Sequence, residues 1–218
     1  MFWEIIILLL IFFIYFHVYM MFKINKNNEI YEFENILSKQ NITNEIAYKY
    51  PFYFNIEHII QNNSNGKIME NNKNYNVYKQ QYDNINILEP FVKFYDNNNK
   101  IVFKKKNKYL PLTYNLHYRN FYMVHEGKIK VTLIHPKYKD NFIKNHKIIT
   151  NKENIKFIKN NNQFKHVILE KNQCIFIPNY WIILVENMDV PKTTIELLQY
   201  KSILNEICFI KEKYLSYI

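Results

Sequence analysis

The stretch that decides the fold is QCIFIPNYWIILVEN, from Gln173 to Asn187. Cys174 to Ile177 is apolar and reads as one strand, Pro178 and Asn179 read as a break, and Tyr180 to Val185 read as the next strand. Trp181, at the head of the second run, is large enough to seal a barrel interior. A second stretch, NFYMVHEGKIKVTLIHP from Asn120 to Pro136, holds Gly127, one of only 2 glycines in the 218-residue chain. Glycine takes positive φ without steric cost, so its place between FYMV and VTLI predicts two antiparallel strands joined in a tight hairpin.

Taken together, the two stretches resemble the JmjC-like cupin family, the double-stranded β-helix oxygenases that use Fe(II) and 2-oxoglutarate. The resemblance covers roughly Pro90 to Asp189, and the frame in register is Asn120, Gly127, Pro136, Ile177, Pro178, Trp181, Val185, Glu186 and Asn187. It implies a mainly β fold with flanking helices, built on a double-stranded β-helix of the cupin or jelly-roll kind. It also locates the family's metal ligands. The His-x-Asp pair falls on Tyr114 and Leu116, and the distal histidine falls on Ile183. The lysine that anchors the co-substrate falls on Ile129, flanked by Lys128 and Lys130.

A non-haem Fe(II) site needs two imidazoles and a carboxylate on one face, with open positions for co-substrate and oxygen. Tyrosine, leucine and isoleucine do not supply them. The expectation is therefore a pseudoenzyme with no catalytic, cofactor-binding or metal-binding residue and no cofactor, acting as a structural or interaction module. Two alternatives stay open. Strand alternation places Tyr114, Leu116, Tyr118, Asn120, Tyr122 and Val124 on the inward face and His117, Arg119 and His125 on the other. A one-residue bulge would reverse that parity and leave an active hydroxylase with unorthodox ligands among His117, His125 and His135. Buried phenols need hydrogen-bond partners, so Tyr114, Tyr118 and Tyr122 could instead line a small-ligand pocket.

The N-terminus carries the other strong signal. Ile5 to Phe16 is unbroken apolar or aromatic, and Ile5 to Phe22 makes a helix of about 27 Å, near the hydrocarbon thickness of a bilayer. Met1, Phe2, Trp3 and Glu4 form no basic leader and no small-residue cleavage site follows, which argues against a signal peptide. Trp3 and Tyr19 suit the two interfaces, and Lys23 and Lys26 flank the C-terminal side. That bias predicts a single-pass protein with the bulk of the chain cytoplasmic. Two widely spaced cysteines, Cys174 and Cys208, fit a reducing compartment. The acceptor patterns at Asn41 and Asn62 are what an asparagine-rich chain produces by chance.

The chain contains 33 asparagines and is rich in Lys, Ile and Tyr, which resembles coding by a very AT-rich genome such as those of large protist viruses. The membrane expected is accordingly a viral or host internal one. Asparagine clusters at 62–65, 97–99 and 160–162 read as solvated loops. The predicted organisation is a transmembrane anchor over 1–24, a helical and extended region packing on the barrel over 25–84, the cupin core over 85–200, and a C-terminal helix over 201–218. Within these, helical character centres on Ile30, Phe33, Ile36 and Leu37, and strands are expected at 85–95, 100–104, 165–169 and 193–199. The last helix, with Ile203, Ile207, Phe209, Ile210 and Leu215 on one face, offers a surface for homodimerisation.

Beyond the span the chain keeps 29 basic and 18 acidic residues (19 less Glu4), a net +11, and such a domain should lie against an anionic leaflet. Lys104, Lys105, Lys106 and Lys108 form the one dense basic run. No recognition motif accompanies it, so nucleic acid is not the expected partner. The protein partner is not written in the sequence.

Overall fold

The computed structural model describes residues 2–33, 38–56, 67–71, 75–79, 88, 95–106, 108–144, 147–148, 152–189 and 193–201. Its elements are α1 (Phe2–Phe22), β1 (Tyr31–Phe33), α2 (Lys39–Ala47), β2 (Phe52–Asn55), β3 (Lys67–Asn71), β4 (Tyr75–Lys79), β5 (Tyr95–Phe103), β6 (Thr113–Tyr114), β7 (Arg119–Glu126) and β8 (Ile129–Ile134). After a short 3-10 helix (Pro136–Asn141) come β9 (Ile143–Lys144), β10 (Lys147–Ile148), α3 (Lys152–Asn160), β11 (Lys165–Leu169), β12 (Gln173–Phe176), β13 (Ile182–Asn187) and β14 (Thr193–Lys201).

Two sheets face each other. The larger has the order β1-β2-β12-β7-β14-β5-β4-β3, the smaller β11-β8-β13-β6, and β9 pairs with β10 alone. From β5 onward the chain winds between them, with β5, β7, β12 and β14 in the large sheet and β6, β8, β11 and β13 in the small one. That interleaving is a double-stranded β-helix, with β1 and β2 extending one edge of the large sheet and β4 and β3 the other. Each strand of the helix therefore buries one face in the space between the sheets.

Alternation then sorts the apolar residues into three clusters. Tyr122, Val124, Ile129, Val131, Leu133, Ile175, Trp181, Ile183, Val185 and Ile195 fill the space between the sheets. Ile42 and Ile46 of α2 cover the outer face of the large sheet, against Phe52, Phe121, Met123, Phe176 and Leu198. Ile155 and Ile158 of α3 do the same for the small sheet, against Ile134, Ile182 and Leu184. The start of α2 is fixed locally, since the Ser38 hydroxyl accepts from the Asn41 amide at 3.2 Å.

Several sequence expectations change in the fold. Gly127 does take positive φ, at +81°, but β7 and β8 lie in different sheets. The turn is thus a crossing from one wall to the other rather than a hairpin. Asn97, Asn98 and Asn99 are not a loop but the middle of β5, paired with Gln199, Leu198 and Leu197 of β14. Backbone pairing with β14, and at Asn99 also with Lys79 of β4, overrides the low β-propensity of asparagine. The region around Ile30 and Phe33 forms β1, parallel to β2, instead of a helix. Ile36, Leu37 and the expected C-terminal helix lie outside the described residues.

The segment leading out of α1 is stitched to the barrel. Asn25 Nδ2 donates to the Tyr48 carbonyl at 2.7 Å, and His135 Nε2 donates to the Asn25 carbonyl at 2.8 Å. Asn28 Nδ2 reaches the Gln163 carbonyl at 3.3 Å, and Lys165 pairs with Glu29 at 3.1 Å. The helix itself runs for 21 residues, and its described apolar side chains are mostly exposed. Among the described residues no helix is long and apolar enough to cross a membrane.

Candidate functional site

The interior of the β-helix at the end marked by Trp181 is the candidate site. Strand register defines its small-sheet wall. Ile183 lies opposite Leu133 on one side and Thr113 on the other. One step nearer the end, His135 and Asn115 flank Trp181, the His135 and Trp181 rings meeting edge to face at 5.0 Å. Asn115 is buried and holds the turn after β12, its Nδ2 donating to the carbonyls of Ile177 at 2.9 Å and Pro178 at 2.8 Å. Its Oδ1 accepts from the His117 amide at 3.0 Å.

The large-sheet wall is more polar. Asn120 and Tyr122 of β7 lie opposite Gln199 and Leu197 of β14, and Leu197 lies opposite Asn99 of β5. Asn120 is wholly buried, and neither its Oδ1 nor its Nδ2 has a hydrogen-bond partner; Asn99 Oδ1 is likewise buried and unpartnered. Burial pushes the Tyr122 phenol far above its ordinary value. The Asn120 carbonyl accepts from the Ile177 amide, which puts this polar patch at the same end as Asn115 and Trp181.

The positions matched to the family's ligands do not form a cluster. Ile183 belongs to the interior core, whereas Tyr114 packs on the outer face of the small sheet, with Tyr180 at 6.0 Å and Lys139 over its ring at 5.0 Å. Leu116 lies in the loop between β6 and β7. The chain is irregular over that loop, so counting back from Asn120 by twos loses the alternation. The β6 residues on the interior face are instead Thr113 and, just beyond it, Asn115. Of the three tyrosines expected inside, Tyr122 alone joins the interior core; Tyr118 stands under Lys49 and Arg119. Ile129 does face the interior, fully buried.

The histidines are engaged separately. His125 Nε2 contacts the buried Glu196 at 2.6 Å on the outer face of the large sheet. His135 uses both nitrogens, since Nδ1 accepts from the Lys137 amide at 3.1 Å while Nε2 donates to Asn25. His166 Nδ1 bonds the Thr132 hydroxyl at 2.9 Å. Burial, helped by the Lys201 charge, lowers His117 to about 4. Among the described residues no three His, Cys, Asp or Glu side chains lie close enough to hold a metal ion. An Fe(II) centre does not fit the described residues, because Thr113, Leu133 and Ile183 occupy the facing row and His135, beside Trp181, already engages both ring nitrogens.

The other retained frame residues have structural tasks. Gly127 permits the sheet crossing, Pro136 starts the 3-10 helix, the Pro178 carbonyl is held by Asn115, and Trp181 fills the barrel end. Sequence reasoning missed Asn99, Asn115 and Gln199. Asn99 was obscured by its asparagine-rich neighbourhood, and only strand pairing reveals Asn115 and Gln199 as wall residues.

No protein-family model and no curated protein matches the chain. Among solved structures it is similar to a mutant of Bacillus subtilis oxalate decarboxylase, with 8% identity and TM-score 0.39 over 61% of this chain and 27% of that one. It is also similar to hydroxypropylphosphonic acid epoxidase from S. wedmorenis, with 13% identity and TM-score 0.37 over 65% of this chain and 58% of that one. The formate complex of Lactobacillus farciminis oxalate decarboxylase gives 8% identity and TM-score 0.40 over 63% of this chain and 32% of that one. The chain thus spans less than two thirds of the length of each. The cupin-like double-stranded β-helix rests on the strand order itself, which is independent of so distant a likeness.

Proposed function

We propose that this chain is a membrane-anchored, catalytically inactive JmjC-like cupin domain that serves as a structural or interaction module. The observation that carries the reading is the row Thr113, Ile183 and Leu133, which offers apolar and hydroxyl side chains and no imidazole or carboxylate. The anchor is supported by the apolar sequence and the helical backbone of α1, 21 residues or about 31 Å long. Lys23 and Lys26 beyond its C-terminal end favour a cytoplasmic domain. The test is metal content and 2-oxoglutarate binding of the full chain after anaerobic Fe(II) loading. The proposal expects neither above background; stoichiometric iron with co-substrate binding refutes it.

A second reading has its own observation. The unpartnered Asn120 amide, with Tyr122 and Asn99 on the same wall, suits a small neutral ligand that both donates and accepts hydrogen bonds. Leaving such groups unpaired costs about 1–3 kcal/mol each. Asn120→Leu therefore separates the readings. In a purely packed barrel it is neutral or stabilising, whereas in a ligand-holding barrel it abolishes the thermal shift that polar small molecules produce.

A further inference from the structure

Outside α1, the described residues leave Ile24, Tyr31, Tyr48, Phe157 and Ile168 as the exposed large apolar or aromatic side chains. The first three gather where the chain leaves the helix. Asn25, the residue after Ile24, holds the Tyr48 carbonyl at 2.7 Å, and Asn27 Nδ2 donates to the Tyr31 hydroxyl. The Tyr50 ring joins them, tilted against Tyr31 at 4.4 Å and stacked on Tyr48 at 5.9 Å with 9° between the planes.

The backbone after α2 shapes this surface. Lys49 takes φ +60°, a left-handed conformation that is costly for a residue with a Cβ. Its side chain is buried, while Tyr48 on one side is 60% exposed and Tyr50 on the other is half-buried; Tyr31 is 37% exposed. The phenols are already tied down. Tyr50 donates to Glu45, and Tyr53, beside this surface in sequence, donates to Glu32 at 2.7 Å. Rings held in this way have little side-chain freedom left to lose on binding. Tyrosine also joins an apolar ring to a polar tip, which suits a surface that is apolar on one side and wet on the other.

We propose that Tyr31, Tyr48 and Tyr50 form a lipid-docking face that seats the domain in the headgroup layer of the bilayer that α1 enters. The inference rests on the reading of α1 as an anchor. Its 21 residues measure about 31 Å as a helix, close to the hydrocarbon thickness, which puts Phe22 at the boundary. Asn25 follows three residues later, within roughly 10 Å. The headgroup layer is about 5–8 Å deep. The bond from Asn25 to Tyr48 therefore holds the tyrosines near the depth at which this residue is enriched in membrane proteins. Lys23 and Lys26 are followed by Glu29 and Glu32, so the rings rather than the charge select the partner, and zwitterionic phosphatidylcholine suffices.

The test reconstitutes the full chain in phosphatidylcholine vesicles with a nitroxide on Ala47→Cys, an exposed position beside Tyr48, in a Cys208→Ser background. Cys174 is fully buried and stays unlabelled. The same label on Phe157→Cys, in the helix that covers the opposite sheet, is the reference for water, and on Phe12→Cys it reports the anchor. Accessibility to oxygen, which partitions into lipid, is compared with accessibility to a water-soluble nickel chelate. The oxygen-to-nickel ratio at position 47 should exceed that at 157 about threefold or more, and should fall to the level of 157 when Tyr31 and Tyr48 are both changed to serine. Equal ratios at 47 and 157, or a high ratio at 47 that the serine changes leave unmoved, overturn the proposal. Position 12 then separates the two failures. A lipid-exposed label there leaves the anchor standing without the docking face, and a water-exposed one removes both. Loss of access to both probes at 47 means that protein covers the tyrosines, and also overturns the proposal. Should the serine variant fail to fold, the comparison of 47 with 157 in the chain with its tyrosines intact still decides.

Discussion

Replacing Gly127 by alanine tests whether the crossing between β7 and β8 is as tight as the geometry requires. A Cβ at this position would lie 2.3 Å from Thr193 Oγ1, 3.0 Å from Thr193 Cβ and 3.1 Å from Thr193 Cα. Thr193 is fully buried and its backbone pairs with Phe103 at the start of β14, so it has little room to yield. Two costs add. Alanine at φ +81° pays about 1–2 kcal/mol for the left-handed conformation, and the overpacking adds about 1–3 kcal/mol. The expected loss is about 2–5 kcal/mol, which for a chain of this size lowers Tm by roughly 4–20 °C. Thermal and urea melts of the full chain in detergent, followed by circular dichroism, measure it. Thr193→Ala alone should be near neutral, because its hydroxyl is buried without a partner. Combined with Gly127→Ala it removes the 2.3 Å clash and should recover about 1 kcal/mol or more. A Gly127→Ala loss below about 1 kcal/mol, or no recovery in the double variant, refutes the close approach.

The remaining predictions concern charge and the interior. His125→Ala strands the Glu196 carboxylate, which is 0% exposed. It should cost about 2–4 kcal/mol in urea melts, and His125→Leu combined with Glu196→Leu should recover most of that. A lone His125→Ala variant as stable as the native chain would contradict it. His117 titrates at about 4 in the fold against 6.5 ordinarily, so the unfolded chain takes up the proton first. Its contribution to stability is complete above about pH 6.5 and is lost as pH falls toward 4, by at most about 3 kcal/mol. His117→Asn should flatten that part of the stability profile. Lys49→Met should stabilise the chain by about 1–3 kcal/mol at pH 7. The gain should shrink between pH 8 and 10.5, where the folded lysine loses its proton before the unfolded one does.

Where β-branched residues run together the sequence was easy to read. The runs Lys165 to Leu169 and Thr193 to Gln199 lie wholly in strands, while those expected at Cys174 to Ile177 and Tyr180 to Val185 are strand over Cys174 to Phe176 and Ile182 to Val185, with Ile177, Tyr180 and Trp181 outside them and Trp181 filling the barrel end. Position within a strand was harder to read than its existence. Gly127 announced a turn but not which sheet the next strand joins, because that depends on pairing with β13 and β11 far along the chain. The inward face of β7 was legible through Tyr122 and Val124, yet the parity could not be carried back through the irregular loop at Leu116 to Tyr114. The polar wall was hidden because asparagine is so common here that Asn99 and Asn120 carried no distinguishing signal. Local pattern reports which residues alternate; only long-range register reports what they alternate against.

The bonds made by Asn25 bear on how this domain would explore its surroundings. Only Lys23 and Ile24 separate α1 from a residue held by both Tyr48 and His135. Three residues' reach is roughly 10 Å even when fully extended. With the helix in a bilayer, the domain would be moored rather than leashed, sampling a shell about one Debye length deep. Headgroups would then meet the same face of the barrel at a local concentration far above that of any free ligand, so weak contacts there would suffice. A partner arriving from solution would find the opposite face presented, its orientation chosen by two side chains and not by the membrane.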